Sequence, residues 1–150
     1  MTMKYLRMFA DEMGGSHFEF AELNSKQVPF MPPAPPIHVS DGQLVDNLVF
    51  KRVPNGRSHN GHPAPRKQWV MILKGEIEFE VSDDEVQRLA PSAIVLAEDT
   101  VGKDHKARTI GNEDVVFGIA QVFGSKNAVF WFVFSRVEII ILSALFENQA

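Results

Sequence analysis

Hydrophobic and polar residues alternate with a period of two along much of this chain, and that pattern predicts strands. EIEFEV at 76–81 sets Ile77, Phe79 and Val81 against Glu76, Glu78 and Glu80, so one face is buried and the other wet. His17 to Leu23 places Phe18 and Phe20 among the polar Glu19 and Glu22, and with Lys4 to Phe9 it supplies a pair of candidate edge strands. Trp69 to Leu73 is apolar on both faces, as a strand covered on two sides would be. Lys74 and Gly75 predict a hairpin turn after it, and Ser82 to Glu85 a second one before Val86 to Leu89. Leu44 to Val53, closed by Pro54, Asn55 and Gly56, adds another strand, as do the runs AIVLAED, HKARTI and VVFGIAQVF. No amphipathic helical period appears before residue 128. Many short strands at close spacing predict an all-β sandwich or small barrel.

Two segments depart from this rhythm. VPFMPPAPPI at 28–37 carries five prolines, which predict an extended, polyproline-like strap tying the N-terminal strands to the body. AVFWFVFSRVEIIILSALF at 128–146 has the length of a membrane span, but Arg136 and Glu138 stand at its centre. Each central charge costs roughly 2.5–3.5 kcal/mol in a bilayer, so the segment is expected to bury in an interface or core rather than to cross a membrane.

A chain of 150 residues is the size of one domain and can bury a core without crosslinks. The absence of cysteine excludes disulfides, thiolate ligands and a cysteine nucleophile, and it fits a cytoplasmic setting. With 19 acidic against 15 basic residues, nucleic acid is not an expected partner. Asp11 and Glu12 interrupt the N-terminal region before an apolar run has formed, unlike a secretory signal. No GxSxG elbow, glycine-rich phosphate loop, HExxH helix or paired CxxC occurs, and the sequence nominates no catalytic residue.

With the strands placed, GHPAPRKQWVMILKGEIEFEV at 61–81 followed by VLAEDTVGKDHKARTI at 95–110 resembles the two signature motifs of a small, single-domain cupin of an uncharacterised bacterial group. His62 falls on the first motif's first histidine, Ala64 on its second, Gln68 on its glutamate and Gly75 on its closing glycine. In the second motif Gly102 and His105 match, while Thr100 replaces the proline. The resemblance implies an all-β cupin-type barrel, a double-stranded β-helix or jelly roll, over residues 1–123, with 124–150 as an atypical apolar C-terminal extension. It also implies a homodimer and a small-molecule pocket at one mouth, lined by His62, Gln68, His105, Val70, Ile72 and Phe117.

The metal ligands implied are His62, Gln68 and His105, holding a divalent Fe, Mn, Ni or Zn ion, with His59 as a replacement ligand if its loop folds inward. Two imidazoles and an uncharged amide are a poor set for such an ion. Asp99 or Glu98 would supply charge, but their place beside a turn predicts exposure. Arg66, Lys67, Lys103 and Lys106 are expected at the surface, in reach of an anionic ligand at the mouth. Where cupins of this kind place glycine in tight turns, this chain has Asp84, Ser92 and Asp104. His17 and His38 receive no role. Three readings follow: a small-molecule-binding cupin with an incomplete ligand set, a metal-dependent dioxygenase or isomerase, and an interaction protein using its C-terminal tail.

Overall fold

The computed structural model describes residues 2–124, and the apolar run 128–146 lies outside the described residues. Twelve strands and no helix make up the described chain. A six-stranded sheet has the order β2(Ser16–Leu23), β1(Met3–Ala10), β10(Ile94–Ala97), β7(Gln68–Lys74), β12(Val115–Val122), β5(Val45–Val53). A four-stranded sheet has the order β6(Ser58–His62), β11(His105–Ile110), β8(Glu76–Glu80), β9(Val86–Leu89). From β5 to β12 the chain deals its strands between the two sheets, giving β5-β12-β7-β10 against β6-β11-β8-β9. That eight-stranded, two-sheet arrangement is a jelly roll. The sheets pack as a sandwich rather than a closed barrel, since β5 and β6, at facing edges, belong to different sheets.

The expected hairpin at Lys74 and Gly75 is a corner instead. β7 pairs with β10 and β12, whereas β8 pairs with β9 and β11, so this junction carries the chain from one sheet to the other. The Ser82–Glu85 turn does close a hairpin between β8 and β9. Asp84 and Ser92 adopt φ of 67° and 81°, the left-handed backbone their glycine-like positions predict, and Asp104 does not. The proline segment also differs from its expected course. It forms the loop of a separate hairpin, β3(Ser25–Val28) with β4(Ile37–Ser40), closed by Ala34 N–H to the Met31 carbonyl, and nearly all of residues 26–39 are exposed.

Inward-facing side chains from both sheets make one core: Leu6, Met8, Val70, Ile72, Ile77, Phe79, Val95, Val115 and Phe117 among others. Each aliphatic side chain buried there contributes about 1.5–3 kcal/mol. The outer face of the four-stranded sheet is a lattice of ion pairs, Glu78 with Arg108, Glu80 with Lys106 and Glu76 with Arg88, all at 2.6 Å. Such exposed pairs add little to stability, but they keep that face in water.

The N-terminal strands join through a parallel pairing of β1 with β10 and a clasp at the β1–β2 turn. Ser16, fully buried, donates its N–H to Ser82 Oγ at 2.7 Å and accepts the Ser82 N–H on its own Oγ at 2.8 Å. His17 sets one ring nitrogen on each of two carboxylates, Nε2 on Asp11 at 2.8 Å and Nδ1 on Asp83 at 2.6 Å. The hydrogen bonds that His17 donates to Asp11 and Asp83 hold its imidazolium above the ordinary histidine range. Both carboxylates are lowered in turn: Asp11 by His17 and the Gly15 amide, Asp83 by the Glu85 amide and His17.

Candidate functional site

Three imidazoles meet at one end of the sandwich. His62 and His105 face one another directly across the β6–β11 pair, with ring centroids 5.2 Å apart at 70°. His59 stacks on His62 at 4.4 Å and 20°, and its ring lies 6.1 Å from that of His105. Phe79 closes the inner side, its ring centroid 5.7 Å from that of His105 at 75°.

On a regular strand, residues three apart point to opposite faces. Here the β6–β11 register slips by one between the His105–His62 and Ala107–His59 partners, a bulge that brings both β6 histidines onto one face. Gly61 makes this possible: its φ is +106°, and a Cβ there would stand 2.8 Å from Asp104 Cβ. His59 is therefore a strand residue rather than part of a solvated loop. Although the residue is exposed, loss of water around its ring, followed by the nearby charge of His62, His105 and Lys51, pushes its imidazole down to about 4.

The role of Asp99 reverses the expectation from sequence. It is fully buried and lies behind His105, accepting a 2.6 Å hydrogen bond from Nδ1, while His105 itself is only 5% exposed. Two backbone contacts explain the burial: the Ala64 N–H donates to the Asp99 carbonyl at 3.0 Å, and the Glu98 N–H to the Met8 carbonyl at 2.7 Å. Asp99 Oδ1 has no partner among the described residues. Glu98 is half-buried between Lys67 and Arg7; burial pulls its carboxyl up, but those two hydrogen bonds outweigh it and hold it below its ordinary value.

These bonds fix which nitrogens remain for other work. A backbone carbonyl only accepts, so His62 Nδ1, 3.0 Å from the Pro63 carbonyl, carries the proton. His105 Nδ1 donates to Asp99 in the same way. Both rings thus keep Nε2 for a further partner, an arrangement that also suits metal-bound histidines. A metal needs more: Asp99 stands behind His105 rather than beside Nε2, and among the described residues no group of three His, Asp or Glu side chains could hold a metal ion. The donor set does not fit the ion that the sequence resemblance implies.

The remaining expected site residues divide by sheet. Gln68 opens β7 in the other sheet, in register with Ala97 and Gln121. Val70, Ile72 and Phe117 pack in the core. Arg66 is part-buried and binds Asp46, the Val122 carbonyl and Gln121. An open groove of about 350 Å³ runs beside His59 past Asn60, Glu80, Lys106 and Arg108, along the ion-pair lattice of the outer face.

No protein-family model matches this chain, and no curated protein sequence matches it. Among solved structures, the cupin domain of Schizosaccharomyces pombe Cnp3 is similar over 81% of this chain and 82% of its own length, at 15% identity and a TM-score of 0.43. The conserved SPY1581 protein of unknown function from Streptococcus pyogenes is similar over 56% of this chain and 69% of its own, at 19% identity and a TM-score of 0.39. The fold is a cupin-type jelly roll. That assignment rests on the strand order, since likenesses this distant carry nothing about ligand, reaction or partner. Among the described residues no helix is long and apolar enough to cross a membrane.

Proposed function

We propose that this chain is a small-molecule-binding jelly-roll protein that takes a small polar ligand at the mouth formed by His59, His62 and His105. The buried Asp99–His105 pair carries the reading. Taking a carboxylate and an imidazole out of water is expensive, and well-packed apolar residues of similar volume would serve the fold as well or better. The pair aims a fixed imidazole at two others, both of which are reached from the exposed β6 edge. His62 and His105 then offer Nε2 to a hydroxyl or amine of the ligand, and His59, with its imidazole pushed down to about 4, stays neutral at pH 7 and adds a flat, uncharged surface.

Ligand-observed NMR with a library of small polar fragments tests this, run on the parent chain and on His62→Ala and His105→Phe variants. Hits that compete with one another and vanish in both variants are expected. A library whose hits bind both variants as well as the parent would sink the reading. Elemental analysis belongs beside it: one equivalent of metal in the parent, lost in both variants, would replace this reading with that of a metal-dependent dioxygenase or isomerase.

A further inference from the structure

The strand Trp69 to Leu73 is apolar on both sides, and the described structure buries only one of them fully. Val70 and Ile72 enter the core. On the opposite side of the same sheet, Met71 and Leu73 of β7 meet Phe50 of β5 over Gly118 of β12. A Cβ on Gly118 would lie 3.3 Å from Met71 Cε, 3.6 Å from Leu73 Cδ1 and 3.8 Å from Phe50 Cε1. Leu48, two residues along β5, lengthens the strip. Phe50 is 69% exposed, Leu48 54% and Leu73 49%. Arg52 with Asp114 and Asp46 with Arg66 stand at its two ends. On the same face the indole nitrogen of Trp69 is buried with no acceptor among the described residues. The other sheet turns a lattice of ion pairs outward, so this apolar surface is particular to one side of the molecule.

We infer that residues 128–146 of this same chain cover the outer face of β5, β12 and β7. β12 is the middle strand of that strip, and the chain runs on from it through Gly124. Only three residues, spanning about 10 Å, separate Gly124 from the start of the apolar run. Nineteen residues reach about 28 Å as a helix or about 60 Å extended, against a strip of three strands about 10–15 Å across. A short tether also holds the run at millimolar effective concentration, ahead of a second copy at ordinary protein concentrations. The run is apolar along most of its length, as an apolar strip requires, and its two charges, Arg136 and Glu138, are of opposite sign and two residues apart, close enough to offset one another.

The test uses the full chain with Phe50→Ser and Leu73→Ser made singly, and Val86→Ser on the charged sheet as the control. Tryptic cleavage at Arg136 is followed by mass spectrometry, cleavage at Arg108 in β11 reports whether the sandwich itself has opened, and light scattering gives the particle mass. The expected result is slow cleavage at Arg136 in the parent and control, at least tenfold faster cleavage there in each face variant, slow cleavage at Arg108 throughout and an unchanged mass. Equal rates at Arg136 in all four proteins overturn the inference. So does a parent dimer that the face variants dissociate without any change at Arg136, which assigns the face to a second copy.

Discussion

Replacing Gly61 with alanine should damage stability and rearrange the histidines together, because the same residue makes the bulge and leaves room for it. The backbone at φ +106° lies in a region that costs a residue with a side chain about 1–3 kcal/mol. The new methyl would stand 2.8 Å from Asp104 Cβ, and overpacking of that kind adds about 1–3 kcal/mol when neighbours must move. Partial relaxation relieves both at once, so a loss of about 2–4 kcal/mol is expected, read as a shift in the urea midpoint at constant m-value. Relaxation means unwinding the bulge, and then His59 and His62 can no longer share a face. The second readout is therefore the His59 titration followed by NMR: from about 4 in the parent it should climb toward the ordinary 6.5 as its ring leaves the crowd of imidazoles. A variant less than about 0.5 kcal/mol weaker, with the His59 titration unmoved, would refute the link between bulge and cluster.

Asp99→Ala leaves His105 Nδ1 buried without its acceptor and is expected to cost about 3–5 kcal/mol, whereas Asp99→Asn, which keeps an acceptor oxygen, should cost about 1 kcal/mol; equal losses in thermal melts would contradict the pairing. The His17 clasp should show as a pH-dependent difference between the parent and His17→Gln. A raised histidine contributes fully below its unfolded 6.5 and fades as pH rises through its folded value, while the lowered Asp11 and Asp83 contribute above 3.8 and fade in acid, so the difference should peak between about pH 4 and 6.5 and shrink above it. Its size should be small because all three groups reach solvent; a difference that grows from pH 6.5 to 9 would reverse the assigned sign. Gly102→Ala would drive a methyl into the Gly14 backbone, so hydrogen exchange in β1 and β2 should speed up before that in β7; uniform acceleration would show that the N-terminal strands do not open separately.

Much of the fold was legible because alternation and turn chemistry are local. Glu76 to Val81 had to be a strand with one wet face, and the left-handed turns at Asp84 and Ser92 could be read from where glycine would otherwise stand. The errors lie where one residue changes the meaning of its neighbours. Lys74–Gly75 has the composition of a hairpin turn, yet whether two strands pair or part to different sheets depends on their other partners, here β10 and β12 for β7. His59 and His62 are an odd number apart, which on a regular strand separates them, and nothing short of the register with β11 shows that the bulge reunites them. Asp99 stands beside a turn, a place that favours exposure, and it is buried only because the Ala64 amide and the N-terminal strand close over it. A usable signal for the bulge was present, since glycine between two polar residues inside a strand run often marks one.

The attachment of β1 to β10 also sets the order in which the molecule can be made. The β1–β2 hairpin leaves the ribosome before the rest of the described fold, yet the edge it pairs with and the Ser82, Lys103 and Asp104 groups that clasp it follow many tens of residues later. At a synthesis rate of about 5–20 residues per second, that interval is on the order of ten seconds. For that time Leu6, Met8 and Phe18 have no core to enter, and β1 offers an unpaired edge to any strand nearby. A hairpin made early in the described fold thus waits for a strand made late in it, and a delay in finishing β10 would be felt as aggregation of the nascent chain rather than as weakness of the finished fold.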